Sequence, residues 1–141
     1  MFTPVSTRAA SAYKKVGIET SVDGANPHQL VRLLFDALIH SLSAARLALK
    51  HNDISTKGVE IGKSVRILEE GLITGLNLQD GGEISANLRG VYGYCVRALT
   101  QANLKNDDAL LVEVIGLIEP IADAWKQIAL QSAPGSSQLG A

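Results

Sequence analysis

Three features of this sequence could carry chemistry: a glycine-lysine-serine run, a set of histidines and one cysteine. Gly58-Val59-Glu60-Ile61-Gly62-Lys63-Ser64 is similar to a phosphate-binding loop, in which successive backbone N–H groups cradle a phosphate. It is one residue short of the required spacing, and no strand precedes it. It also lies inside a helical pattern, where those N–H groups are already used, so it reads as helix. His28, His40 and His51 are 12 and 11 residues apart. On one helix that puts them roughly 16–18 Å from one another, too far to share a metal. The Glu-x-x-His pattern of di-iron bundles is absent. Asp36 and His40, one turn apart, read as an ordinary surface pair. No metal site and no cofactor are expected.

Cys95 would need a basic, exposed setting and a positioned base to act as a nucleophile. It falls on an apolar helix face and reads as a small buried residue. Glu69 and Glu70 are adjacent, so they point about 100° apart on a helix and do not converge. Catalysis requires convergent groups with perturbed pKa values. None of these patterns supplies them, and the chain is not expected to be an enzyme. The tyrosines point to binding instead. Tyr92 and Tyr94 are two residues apart on a helix and cannot both face the core. Aromatic rings with a polar tip are favoured at protein interfaces.

The elements that must position these residues are helices. Hydrophobic residues make up 46% of the 141 and charged residues 19%, which suits one globular domain with a sizeable core. A net charge of −1 offers no field to attract nucleic acid or an acidic membrane. One cysteine cannot form an internal disulfide. Nothing approaches about 18 uninterrupted apolar residues, so no membrane insertion is expected. Met1 to Arg8 lacks a basic start followed by an apolar run, so no secretory signal is expected either. These points favour the cytoplasm.

Helical periodicity marks four segments, and no segment alternates as a strand would. The first runs from about Pro27 to Lys50, with Asn26 as cap and Pro27 in the first turn. Leu30, Leu34, Leu38, Leu42, Ala45 and Leu49 share its core face. Leu33, Phe35, Ile39 and Leu47 widen the apolar surface beyond what one buried stripe needs. The second runs from about Lys57 to Leu76, with Ile61, Val65, Leu68, Leu72 and Leu76 inward. Gly62 and Gly71 in its interior imply a close backbone approach or a bend. The third runs from about Glu83 to Asn103, opened by an Asp80/Glu83 capping box. Its stripe is Ile84, Leu88, Val91, Cys95, Leu99 and Ala102. The fourth runs from about Asp108 to Leu130. Leu111, Val114, Ile118, Ile121, Trp125 and Ile128 form a strict 3-4 seam, and Pro120 should kink the helix. Short connections predict an all-α, antiparallel, up-down-up-down four-helix bundle over residues 27–130. Residues 1–26 read as an N-terminal cap and linker, too short to hold a helix alone. Residues 131–141 read as a mobile tail.

Ala12-Tyr13-Lys14-Lys15-Val16-Gly17-Ile18-Glu19-Thr20, then Pro27-His28-Gln29-Leu30 and Leu34-Phe35-Asp36, resemble the opening of the FliS family of flagellar secretion chaperones. Gly81-Gly82-Glu83-Ile84, Asn87-Leu88, Tyr92, and Gln101-Ala102-Asn103-Leu104 before Asn106-Asp107 resemble its third helix and following turn. Ala124-Trp125-Lys126-Gln127-Ile128 resembles its end. Order and spacing together carry the likeness, over roughly residues 10–130. Gly93, Cys95 and Pro120 depart from the usual pattern.

The resemblance implies a bundle with its N-terminal segment folded over one end. It also implies binding of the C-terminal segment of flagellin, delivery to the flagellar export gate, and contact with flagellar regulatory or co-chaperone proteins. A displaceable N-terminal tyrosine maps onto Tyr13. The expected partner surface comprises Tyr13, Val16, Ile18, Leu34, Phe35, Ile67, Gly71, Tyr92 and Tyr94. The competing reading is a structural or regulatory bundle that self-associates through the same surface.

Overall fold

Asn26 and Gln29 open the first helix reciprocally. The Asn26 side chain accepts from the Gln29 N–H at 2.8 Å, and the Gln29 side chain accepts from the Asn26 N–H at 3.0 Å. In the computed structural model the described residues are 26–77 and 82–132, with side chains described for 26–76 and 82–128. Tyr13, Val16, Ile18, the expected cap over residues 1–25, Asp80 of the expected capping box and the chain after Ser132 lie outside them.

The described residues form four helical rods and no strand. Helix α1 spans Pro27–Lys50. The second rod is α2 (Ile54–Arg66), a π-helical stretch (Ile67–Ile73) and α3 (Thr74–Asn77). Helix α4 spans Gly82–Lys105 and α5 spans Asp108–Ser132.

Two turns share one chemistry. Asn52 and Asn106 adopt φ of 56° and 52°, a left-handed conformation that asparagine tolerates better than most residues. The aspartate that follows each caps the next helix. Asp53 accepts from the Thr56 N–H at 3.1 Å, and Asp107 accepts from the Ala109 N–H at 3.0 Å. The Asp53 cap starts α2 three residues before the predicted Lys57. Its hydrogen bonds from Thr56 hold the Asp53 carboxyl below its ordinary pKa.

The rods meet around one continuous core, with Leu38, Leu42, Ile67, Leu68, Leu99, Val114 and Ile118 among its fully enclosed members. Helix α1 packs on both α2 and α5, and α4 packs on α5 and the second rod. Arg46 near the end of α1 pairs with Asp108 at the start of α5 through two hydrogen bonds of 2.8 and 3.1 Å. At the other end, His28 meets Trp125. Lys57 is buried where α2 starts, and its ammonium donates to the Asn103 carbonyl at 2.9 Å and to the Asn103 side chain at 2.8 Å. That carbonyl is in the last turn of α4, where helix carbonyls lack partners of their own.

Gly62 and Gly75 of the second rod show no close approach of another backbone among the described residues. A Cβ on Gly62 would meet only Arg66 of the same rod, at 3.6 Å, and one on Gly75 would meet nothing within 4 Å. The backbone departs from α geometry instead: Gly71 lies inside the π-helical stretch, and the Thr74 hydroxyl donates to the Glu69 carbonyl five residues back, at 2.8 Å. Helix α5 runs through Pro120 without interruption. Pro120 is on the exposed side, so the Gly116 carbonyl it leaves without an N–H faces solvent.

Candidate functional site

Where α1 begins and α5 ends, the four rods leave an apolar groove of about 240 Å³. Each rod contributes a wall: Val31 and Phe35 from α1, Gly71 to Leu76 from the second rod, Ile84 to Tyr92 from α4, and Ile121 to Ile128 from α5. Phe35 and Tyr92 are each 2% exposed, whereas Ile84 is 71% and Ile128 48% exposed. Buried rings and open aliphatic rims therefore share one surface. Ser85 is the one aliphatic hydroxyl lining it.

Trp125 is held in its wall from two directions. Its indole N–H donates to the His28 carbonyl at 3.1 Å, and its ring stacks on the His28 imidazole at 5.0 Å and 26°. A half-buried indole with its polar atom satisfied presents an apolar face at little desolvation cost. Burial pushes the Tyr92 hydroxyl far above the ordinary phenol range, with the neighbouring Cys95 a smaller contributor. It stays neutral at any physiological pH.

The groove brings together three of the predicted site residues: Phe35, Gly71 and Tyr92. Leu34 and Ile67, at 1% and 0% exposure, lie in the core. Tyr94 does not line the groove; its hydroxyl donates to Glu113 at 2.6 Å, tying α4 to α5, and this bond raises its pKa. Tyr13, Val16 and Ile18 lie outside the described residues.

Sequence reasoning had placed Ile84, Leu88, Ile121, Trp125 and Ile128 on core stripes. Leu88, Ile121 and Trp125 do pack against the core, partly buried, while Ile84 and Ile128 are exposed. All five line the groove, because the stripes of α4 and α5 continue past the point where neighbouring rods cover them. The signal available was Trp125 itself, a large amphipathic ring near a helix end.

A wider depression of about 590 Å³ and mixed character lies at the far end of α1, lined by Ser43, Arg46, Leu47, Leu49, Lys50, Asn106 and Asp108. Its Arg46 and Asp108 already satisfy each other across the depression. Among the described residues no group of three His, Cys, Asp or Glu side chains is placed to hold a metal ion. No helix among them is long and apolar enough to cross a membrane.

A sequence model described as "Flagellar protein FliS" matches residues 9–132. The chain is 46% identical over 117 residues to the flagellar secretion chaperone FliS of Salmonella typhimurium strain LT2, covering 83% of this chain and 87% of that protein. It is 39% identical over 122 residues to the flagellar secretion chaperone FliS of Escherichia coli K12, covering 86% and 90%. It is 38% identical over 121 residues to the flagellar secretion chaperone FliSB of Pseudomonas aeruginosa PAO1, covering 86% and 95%. Matched over most of its length by the family and by these relatives, the chain belongs to the FliS family.

Proposed function

We propose that this protein is a cytoplasmic export chaperone whose cargo is flagellin. The observation that carries the reading is the apolar groove, open at its rims, on a chain whose relatives are named flagellar secretion chaperones. An amphipathic helix laid into such a groove buries its apolar face without any covalent or metal chemistry. Flagellin's C-terminal segment is the proposed occupant. Covered in this way, it would not polymerise before secretion, and the complex would be handed to the flagellar export gate. Flagellar regulatory or co-chaperone proteins are proposed further partners.

The reading includes an up-down-up-down course for residues 27–130, supported by the pairing of Arg46 with Asp108 at one end and of His28 with Trp125 at the other. It also includes residues 1–26 as a cap, with Tyr13 as a displaceable plug, and residues 131–141 as a tail. A cap that covers the groove lowers the apparent cargo affinity by the cost of opening it. Ordering of the cargo lowers it further and helps keep the complex releasable.

Size-exclusion chromatography with light scattering tests this. The protein is mixed with its own cell's flagellin, intact or lacking the C-terminal segment. A one-to-one complex with intact flagellin alone supports the chaperone reading. A fixed homo-oligomer that ignores both forms would instead establish a self-associating bundle.

A further inference from the structure

Among the described residues, nothing requires Gly75 to be glycine. Its backbone is not in the left-handed region, where among the described glycines only Gly82 is found. A Cβ there would meet no atom of the described residues within 4 Å, so packing among them does not require its absence. Glycine is also the poorest ordinary helix former, because its backbone has the most freedom to lose. Helix propensity and packing among the described residues would favour alanine.

Yet Gly75 lines the groove, and so does Gly71 one turn before it. The other walls carry bulk: Phe35, Leu88, Tyr92 and Trp125. Gly71 lies within the π-helical stretch, a rare geometry that recurs at functional sites, and Gly75 lies just after it. Separation between packed helices is set by the side chains at their contact. The second rod's wall is bare at Gly71 and Gly75, beside Leu72 and Leu76, so an incoming helix comes closest at those two positions, while the aromatic walls grip its flanks.

We infer that Gly75 is a specificity-determining position of the groove: its missing side chain is the space into which the partner helix seats, selecting a segment that can approach the second rod closely. This rests on the reading of the groove as the cargo site.

The test is isothermal calorimetry with intact flagellin, alongside thermal melting, on three variants. Gly75→Ala should melt at least as high as the wild type, by roughly 2–5 °C more. Its affinity for flagellin should nevertheless fall at least about fivefold, since an added methyl group in a packed contact must be accommodated by strain. Gly90→Ala is the matched control: Gly90 is an exposed helical glycine with open space around it, and it does not line the groove. It should melt higher and bind as wild type. Ile84→Asp alters the exposed rim, and should leave melting unchanged while weakening flagellin binding.

Wild-type affinity in Gly75→Ala with weakened binding in Ile84→Asp overturns the inference and leaves the groove reading standing. Wild-type affinity in Ile84→Asp overturns the groove reading and this inference with it. Equal weakening in Gly75→Ala and Gly90→Ala assigns the effect to helix stiffness, and a lower melting point for Gly75→Ala denies the open space; either result overturns the inference.

Discussion

Cys95 shows how burial silences a reactive group. It is fully enclosed, and loss of solvent pushes its thiol up to about 11, with the charge of Glu113 a smaller contributor. At pH 8 that leaves roughly a hundredfold less thiolate than an ordinary cysteine carries, before steric protection is counted. In native buffer a disulfide reagent such as DTNB should therefore react slowly, and in guanidinium it should titrate one thiol at once. Fast stoichiometric reaction in native buffer would mean that the core around Cys95 opens readily.

Asp108 is a second case at this scale, with the opposite sign. The Arg46 guanidinium holds its carboxyl below the ordinary 3.8. A depressed folded-state pKa contributes stability above the ordinary value, and that contribution is lost as pH falls through the folded value. Both side chains are nearly half exposed, so the contribution is about 0–1 kcal/mol. Asp108→Asn should unfold slightly more easily than wild type near neutral pH in urea titrations, and the gap should close below pH 3.8. A gap that widens in acid would contradict the assignment.

At the scale of elements, the helices were largely legible from the chain. The bounds of α1 follow from Asn26, Pro27 and the apolar spacing, and the structure places them at Pro27–Lys50 as read. The start of α2 was missed because Asp53 caps from inside what looked like a polar loop. Periodicity also overstated burial near the helix ends. Leu111, Val114 and Ile118 are enclosed, whereas Ile121 and Trp125 are half-buried and Ile128 is 48% exposed. A repeating stripe says which side of a helix faces inward; it does not say whether a neighbour is there to cover it.

Pro120 is an element-scale feature with a measurable cost. It withholds an N–H from the Gly116 carbonyl within an otherwise continuous helix. Pro120→Ala restores that donor and should raise stability by about 1–3 kcal/mol in urea denaturation. An unchanged or lower stability would mean that the surrounding packing has adapted to the proline.

At the scale of the whole molecule, the groove was only partly legible. Phe35, Gly71 and Tyr92 could be singled out by type, as an excess apolar residue, a helix-interior glycine and an interfacial aromatic. Their convergence with Ile84 and Trp125 could not, because it depends on where four rods of unequal reach end relative to one another. Residues 35, 71, 92 and 125 come from four different rods, and nothing in local spacing fixes their common address.

Trp125 is the chain's one tryptophan, and it stands in the groove wall, half-buried and stacked on His28. The molecule thus carries an optical reporter at the place where a partner is proposed to sit. When a tryptophan-free peptide from the flagellin C-terminus fills the groove, water should leave the indole, and its fluorescence emission should move to shorter wavelength in step with saturation. A spectrum that stays still while calorimetry registers heat would put the peptide on another face. Neither labelling nor immobilisation is needed, so loading and release could be followed in real time on the unmodified chain.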